Sequence, residues 1–195
     1  MSHFIFLDAI VYIPYSIIVM QKRNSKKTEN TTTEKSTTGK VRKIFFTILS
    51  IICMVVIFLY SSRDAALSTQ DSYAVGLTIG NLTIEDFDTW TELEQYQYAG
   101  SIDHPVRKTA HFIEYFTLGA LLFGAWYDKK HKNLSNVFLP LLIGTLYAIT
   151  DEIHQLLVSG RAGMVSDVIL DACGVLAGVL LIFLIVKLVL KINKR

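Results

Sequence analysis

Cysteine, proline and net charge are all scarce in this sequence, and each scarcity narrows the class of protein. Only two cysteines occur, Cys53 and Cys173; both lie in apolar runs whose spacing suggests neither a disulfide framework nor a metal site, so we expect them to be buried and inert. The formal net charge of +2 gives no support for nucleic-acid binding. With three prolines and 51% hydrophobic residues, the segments are too apolar for an ordinary soluble domain.

Charge is also missing from runs long enough to cross a membrane. The clearest is Ile44–Ser62, which is uncharged and rich in Ile, Phe and Val. Three further spans are predicted at about Lys108–Tyr127, Asn136–Val158 and Met164–Leu190. We therefore expect an all-α, polytopic helical membrane bundle. It would have about five transmembrane helices, four of them in the core domain, and short outer amphipathic helices.

The segment before this core is predicted to hold one further helix and a linker. The run Phe4–Met20 lacks the preceding positive charge and the following cleavage site of a secretory signal. We expect a retained transmembrane helix in residues 1–20, and an interfacial helix is the main alternative. Residues 21–42 are rich in Lys, Arg, Thr, Ser and Asn, which predicts a disordered basic linker. Residues 43–195 are expected to form the membrane domain.

The distribution of basic residues predicts the orientation of the spans. The linker, the loop at residues 128–132 and the C-terminal residues are basic, so the positive-inside rule places them in the cytoplasm. The acidic loop 64–108 is then extracytoplasmic. The C-terminus would be cytoplasmic, and the N-terminus would lie outside if the first helix spans.

The loop 64–108 carries helix signals of its own. Two capping boxes are predicted, Ser68 with Asp71 and Thr83 with Asp86. Gly80 and Gly100 are predicted to end the two helices. We expect amphipathic helices that lie on the membrane surface and cover a polar site.

That polar site follows from the lengths of the last three spans. A hydrocarbon core of about 30 Å needs roughly 20 helical residues. The uncharged runs cover only residues 115–127, 134–150 and 172–186, so neighbouring polar residues must enter the same, outer, leaflet. These residues are His111, Glu114, Asp151, Glu152, His154, Gln155, Asp167 and Asp171.

Helical periodicity then predicts that the polar residues share one face of each helix. At about 100° per residue, Asp167 and Asp171 lie on the same side as small residues one and two turns later. Small residues accompany the polar ones on two helices, Gly174 with Gly178 and Gly144 with Ala148. Such residues let helices approach closely, which predicts a packed bundle with a polar cup opening outward.

Several motifs occur in a fixed order along the chain. They are Ser61-Ser62, Arg107-Lys108-x-x-His111-Phe112-x-Glu114-Tyr115-x-x-Leu118-Gly119, Asp151-Glu152-x-His154-Gln155, Arg161, and Asp167-x-x-x-Asp171-x-x-Gly174. Over about Arg42–Leu190 this order resembles the VanZ-like family of bacterial membrane proteins. The resemblance implies a multi-pass helical domain in the bacterial cytoplasmic membrane. The family's namesake contributes to resistance against the glycopeptide teicoplanin, and the resemblance implies a function of this kind.

Two functional hypotheses fit these residues. The first is a protein that binds membrane lipids, and in particular a lipid-linked cell-envelope precursor or a lipophilic glycopeptide. Its predicted ligand-binding residues are Arg107, Gln155, Arg161 and Asp167. The second is a membrane-embedded enzyme using acid–base or metal-assisted chemistry. Its catalytic candidates are His111, Glu114, Asp151, Glu152, His154 and Asp171. A divalent metal, which neither hypothesis requires, would be held by His111, Glu114 and His154.

Two other interpretations remain open at this point. The polar residues could form an internal salt-bridge and hydrogen-bond network that only fixes the helix packing. An excess of carboxylates over permanent cations argues against it, because unpaired carboxylates need a proton, a donor or a cation. A transporter or proton relay is the other interpretation, but the sequence shows no internal repeat of the kind common in transporters.

Overall fold

The computed structural model describes residues 31–128 and 133–193, and all of their regular structure is helical. The α-helices in this part are α1 (Thr31–Ser61), α2 (Ala65–Thr83), α3 (Glu92–Ser101), α4 (Asp103–Trp126), α5 (Asn133–Gln155) and α6 (Val165–Ile192). A 3-10 turn, Phe87–Thr89, lies between α2 and α3. The all-α prediction is confirmed. The helix predicted in residues 1–20 lies outside the described residues.

The chain divides into two compact units, residues 1–42 and residues 43–195. In the first unit, the described residues, 31–42, are the beginning of α1. The structure describes residues 31–42 as helical, residues 21–30 lie outside the described part, and the disordered linker over 21–42 stays a prediction. Extending an existing helix gains a hydrogen bond per residue without a new nucleation step, so an apolar helix can continue into polar sequence.

Within residues 31–128 and 133–193, three helical segments are long and apolar enough to cross a membrane. They are Gly39–Ser61, Leu134–Gln155 and Val165–Ile192, with mean hydropathies of 2.7, 1.4 and 2.8. They correspond to three of the four spans predicted for the core domain. The fourth, Lys108–Tyr127, is helical within α4, but α4 is not among these apolar segments, so its crossing remains a prediction.

Helix α4 tolerates its more polar composition because the other helices cover it. Nine of its 24 residues are buried, among them Tyr115, Leu118 and Phe123, each with no exposed surface. These three pack in the main apolar core together with Ile57, Leu122, Ala148, Val175 and Val179. A helix surrounded by protein need not present a lipid-like surface on every side.

Glycines set how closely α4 and α6 approach. A Cβ atom added at Gly178 would lie 2.0 Å from the carbonyl oxygen of Phe116, and one at Gly119 would lie 2.2 Å from that of Val175. Gly174 similarly faces the backbone of Phe112. The predicted Gly174 and Gly178 seam is therefore confirmed as the contact surface of α6 with α4. On α5, a Cβ at Gly144 would meet the Val175 side chain, and Ala148 is fully buried, as the sequence predicted.

The loop helices begin at residues other than those predicted. Asp64 caps α2, accepting a hydrogen bond from the Leu67 amide at 2.8 Å, whereas Ser68 and Asp71 lie inside this helix. The capping box predicted at Thr83 and Asp86 is also wrong, because Thr83 is the last residue of α2. Short polar residues match the cap pattern at many positions, and only a helix start can use it.

The capping box of the loop lies instead at Thr91 and Glu94, at the start of α3. The Thr91 hydroxyl accepts from the Glu94 amide at 3.3 Å, and the Glu94 carboxylate accepts from the Thr91 amide at 2.9 Å. Hydrogen bonds from the Thr91 side chain and backbone lower the pKa of Glu94. Helix α3 ends one residue after Gly100, as predicted, but α2 continues past Gly80. Gly80 serves close packing instead, since a Cβ there would lie 2.4 Å from the Phe87 ring.

Neither cysteine forms a disulfide, and only Cys53 is partly buried. Cys53 is partly buried against the apolar core, whereas Cys173 is exposed on the side of α6. The expectation that both are buried is therefore wrong for Cys173. An apolar run in a membrane helix includes lipid-facing positions, so hydrophobic neighbours in sequence do not ensure burial.

Candidate functional site

Four helices bring polar side chains together at one end of the second unit. Helices α1 and α5 finish at this end, and α4 and α6 begin there. We call it the polar end. Ser61 is the last residue of α1. His111 lies on α4, Asp151 on α5 and Asp171 on α6. The predicted convergence of polar residues from three helices into one layer is therefore observed.

The innermost group consists of His111, Asp151 and Asp171, which we call the His–Asp–Asp cluster. One nitrogen or oxygen atom from each side chain lies within 4.8 Å of the other two. Asp171 has no exposed surface, and Asp151 is 3% exposed. Neither carboxylate forms an ion pair with a lysine or arginine of the described residues.

The cluster has acceptor and donor capacity that nothing in the described chain uses. Both carboxylate oxygens of Asp171 are buried without a hydrogen-bond partner, as are Oδ1 of Asp151 and Nδ1 of His111. A buried polar atom without a partner costs about 1–3 kcal/mol, and a charged one costs more. Such groups therefore call for an occupant that satisfies them.

The second oxygen of Asp151 is held by neighbouring side chains. The Ser61 hydroxyl donates to Oδ2 at 2.9 Å across two helices, and the Gln155 amide donates to the same oxygen at 3.3 Å. Gln155 also donates to Glu152 at 3.4 Å. Glu152 in turn accepts from the Met164 backbone amide at 2.9 Å, which ties the end of α5 to the start of α6. Asp151 is thereby fixed in orientation with one oxygen left over.

Arg161 lies beside this network in the loop between α5 and α6. Its guanidinium donates to the carbonyl oxygens of Arg63 at 3.0 Å and Tyr60 at 3.4 Å, and to the side-chain oxygen of Gln155 at 3.4 Å. No carboxylate of the described residues forms an ion pair with it. Burial, followed by the repulsion of Arg107, lowers the pKa of this guanidinium. Arg161 is thus a half-buried cation whose hydrogen-bond partners in the described chain are all neutral oxygens.

A cavity of about 210 Å³ lies next to Arg161. Residues of α1, the following turn, α2, α4 and the α5–α6 loop surround it. Its charged lining comprises Arg63, Arg107, Arg161, Asp71 and Glu114, together with His111 of the cluster. Asp71 forms an ion pair with Arg63, and Asp103, outside the lining, forms one with Arg107. We call this cavity, lined by Arg63, Arg107 and Arg161, the arginine cavity. Of the two loop helices, α2 supplies part of the cavity wall, whereas the position of both helices on the membrane surface stays a prediction.

Comparison with known proteins places this arrangement in a family. Residues 46–187 match the family model described as VanZ/LLP1. The chain belongs to the VanZ/LLP1 family. No curated protein and no solved structure matches the chain. The matched range contains the polar end, all of α4 and α5, and the parts of α1 and α6 that reach this end.

Not all of the predicted site residues of this VanZ/LLP1 chain meet in the cluster. His154 instead lies beside α1, with its Nε2 atom 3.0 Å from the Ser62 hydroxyl and its ring 4.6 Å from that of Phe58. Asp167 forms an ion pair with Lys108 at 3.0 Å. The structure therefore groups His111 with Asp151 and Asp171, and not with the Glu114 and His154 of the predicted metal set. Glu114 lines the arginine cavity.

Some contributors were missing from the predicted site. Ser61, which holds Asp151, carried a signal in the VanZ-like motif, because Ser61-Ser62 closes the clearest apolar run. Arg63 and Asp71 line the arginine cavity, and Asp103 restrains Arg107. No sequence pattern singles these last residues out, since each is one charge among many in a polar loop.

Proposed function

We propose that this protein binds a lipid-linked cell-envelope component at the outer leaflet of the bacterial cytoplasmic membrane, with an anionic headgroup in the arginine cavity. A lipophilic glycopeptide is the other ligand class that the family resemblance suggests. Resistance to teicoplanin-like glycopeptides is the expected consequence in the cell. A phosphate group is the headgroup chemistry that the lining of the cavity favours.

The observation that carries this proposal is the state of Arg161. Its guanidinium is half-buried, it donates only to neutral oxygens, and no described carboxylate pairs with it. A half-buried cation without a direct ion pair keeps donor capacity that an anionic ligand can use. Arginine's planar set of donors suits phosphate or carboxylate oxygens.

The size of the cavity limits the bound portion to a headgroup. Its volume of about 210 Å³ lies below the range of about 300–1,000 Å³ typical of pockets for drug-sized ligands. A lipid chain would therefore remain outside, in the bilayer. Exposed apolar side chains such as Phe58, Leu59 and Ile113 lie on α1 and α4 near the polar end and would contact it there.

A second candidate function is a membrane-embedded enzyme that acts on the same class of lipid. The observation favouring it is His111, which lines the cavity and also belongs to the cluster. Its Nδ1 atom has no partner in the described chain, so it is available for proton transfer. In this case the arginines would orient the headgroup, and His111 with Asp171 would carry the acid–base chemistry.

The proposal is tested by comparing a polyprenyl phosphate with the matching polyprenol, which differ only in the phosphate. We expect the purified wild-type protein to bind the phosphate form and to discriminate against the alcohol. Arg161→Gln should weaken phosphate binding by about ten-fold or more, because hydrogen bonds to charged groups are worth about 1.5–3 kcal/mol. Binding is measured by native mass spectrometry or by the ligand-induced rise in unfolding temperature.

Lys187→Gln is the matched control. Lys187 is also a cation, but it lies 20 residues beyond Asp167 along α6 and packs over the Phe183 ring. Its substitution should leave binding unchanged. Equal binding of both lipids, or an equal loss in both variants, would refute the proposal. Recovery of the bound lipid in altered form would favour the enzyme. The same variants, expressed in a teicoplanin-challenged host, report the cellular consequence.

A further inference from the structure

The His–Asp–Asp cluster holds two buried carboxylates that form no ion pair with a lysine or arginine of the described residues. Asp151 and Asp171 are 3% and 0% exposed, and no lysine or arginine of the described residues pairs with either. Two ionised carboxylates in such a site repel each other and have lost their hydration. Something else must neutralise them.

We propose that His111, Asp151 and Asp171 bind a divalent cation of the first transition row, such as Mn²⁺ or Zn²⁺. The ligand atoms of the three side chains already lie within 4.8 Å of one another, a separation that permits contact with one central ion. Two carboxylate oxygens and one imidazole nitrogen form a donor set that suits these metals. A charge of +2 balances the two carboxylates.

The unused hydrogen-bonding atoms are independent support for this site. Both oxygens of Asp171, Oδ1 of Asp151 and Nδ1 of His111 are buried and have no partner in the described chain. A cation would satisfy atoms from all three side chains at once. Protonation of Asp171 would remove its charge, but it would leave Nδ1 of His111 without a hydrogen-bond partner.

The surroundings of the cluster also resemble those of a metal site. Asp151 is oriented by Ser61 and Gln155 through Oδ2, which leaves Oδ1 for the ion. Partners of this kind around a metal ligand fix its direction and raise affinity. With three protein ligands, the ion would keep open coordination positions, as catalytic zinc sites do. His111 borders the arginine cavity, so a ligand in that cavity would have access to the ion.

This inference does not depend on what occupies the arginine cavity, and the metal alone tests it. The full-length protein is purified in detergent, stripped with a chelator and titrated with Mn²⁺. Binding is followed by electron paramagnetic resonance of free Mn²⁺ and by the shift in unfolding temperature. We expect one ion per chain, and Asp171→Asn should weaken its binding by more than about 100-fold, since loss of a supporting residue alone costs about 10–100-fold.

Asp167→Asn is the matched control. Asp167 lies one turn earlier on α6, but its carboxylate already pairs with Lys108 at 3.0 Å. This variant should bind Mn²⁺ like the wild type. Absence of any Mn²⁺- or Zn²⁺-dependent stabilisation in the wild type would overturn the inference, as would an unchanged stabilisation in Asp171→Asn. If the metal-free Asp171→Asn variant unfolds too readily for purification, His111→Gln replaces it under the same criteria.

Discussion

The Ser61 hydroxyl is the smallest feature on which the site depends. It donates to Asp151 from another helix, and both side chains are nearly inaccessible. In Ser61→Ala, Oδ2 of Asp151 keeps only the longer bond from Gln155 at 3.3 Å. We expect a loss of about 1–3 kcal/mol in the free energy of unfolding, because a buried charged acceptor loses its best donor. Reversible unfolding in mixed detergent micelles measures it.

Ser62→Ala provides the control next to it. The Ser62 side chain is exposed; its hydroxyl donates to the Phe58 carbonyl of its own helix at 2.7 Å, and its contact with His154 Nε2 at 3.0 Å is also exposed. Exposed substitutions of this kind usually change stability by less than about 0.5 kcal/mol. If both variants lose the same stability, the contact between Ser61 and Asp151 has no special role.

At this scale the sequence predicted which helix ends meet better than it predicted the partner of each side chain. Counting uncharged residues predicted Asp151 and Asp171 in one layer, because hydrocarbon thickness constrains length along a helix, and the structure brings both together with His111. Periodicity gives a direction about each helix axis, but it does not give the rotation of the neighbouring helix. For that reason His154 was grouped with His111, whereas in the structure it faces Ser62.

At the scale of the element, the contact between α4 and α6 is the most demanding. Gly178→Ala would bring a Cβ to 2.0 Å from the Phe116 carbonyl oxygen and 2.9 Å from the Ala120 amide nitrogen. Both are backbone atoms, so the helices themselves must separate. We expect a destabilisation of about 1–3 kcal/mol, typical of overpacking, measured by the same unfolding assay.

Gly39→Ala separates this steric effect from helix propensity. Nothing lies within 4 Å of a Cβ atom placed at Gly39, which is also inside a helix. Alanine there should be neutral or stabilising by about 0.5–1 kcal/mol, because glycine loses more backbone entropy in a helix. A Gly178→Ala protein as stable as Gly39→Ala would contradict the close approach of α4 to α6.

Element boundaries show where local sequence signals stop being informative. The clearest span was predicted well, because a long uncharged run has few alternatives in structure. The capping box was predicted at Ser68 and Thr83, although the chain uses Asp64 and Thr91. A cap residue acts only where a helix begins, and the start of α2 depends on contacts such as the bond from the Ala65 amide to the Ser159 carbonyl. Long-range contacts of this kind leave no local pattern.

Considered as a whole molecule, the second unit has two chemically different ends. The polar end holds buried carboxylates, the arginine cavity and the turn containing Arg161. Toward the other end lie the ion pair of Lys43 with Asp128 and the cation–π contact of Lys187 with Phe183. Lysines suit contact with water and anionic lipid, whereas the polar end is where we propose that a ligand binds.

Because the two ends differ, the orientation of the protein in the membrane decides from which side a ligand can reach the polar end. After Cys53 and Cys173 are replaced by alanine, single cysteines are introduced at two exposed positions, Asp88 in the 3-10 turn between α2 and α3 and Asn193 just after α6. A membrane-impermeant maleimide should label Asp88→Cys in intact cells, and Asn193→Cys only after permeabilisation, because the positive-inside rule places the basic C-terminus in the cytoplasm.

The opposite labelling pattern would leave the fold intact but would turn the arginine cavity toward the cytoplasm. An outer-leaflet ligand, and with it a direct effect on glycopeptides acting outside the cell, would then be ruled out. Labelling of both positions from one side would mean that an even number of the helices α4, α5 and α6 crosses the membrane, which would argue first against α4, since α5 and α6 are the two that are long and apolar enough to span. Since a helix rises about 1.5 Å per residue, α6 is more than long enough to cross a core of about 30 Å.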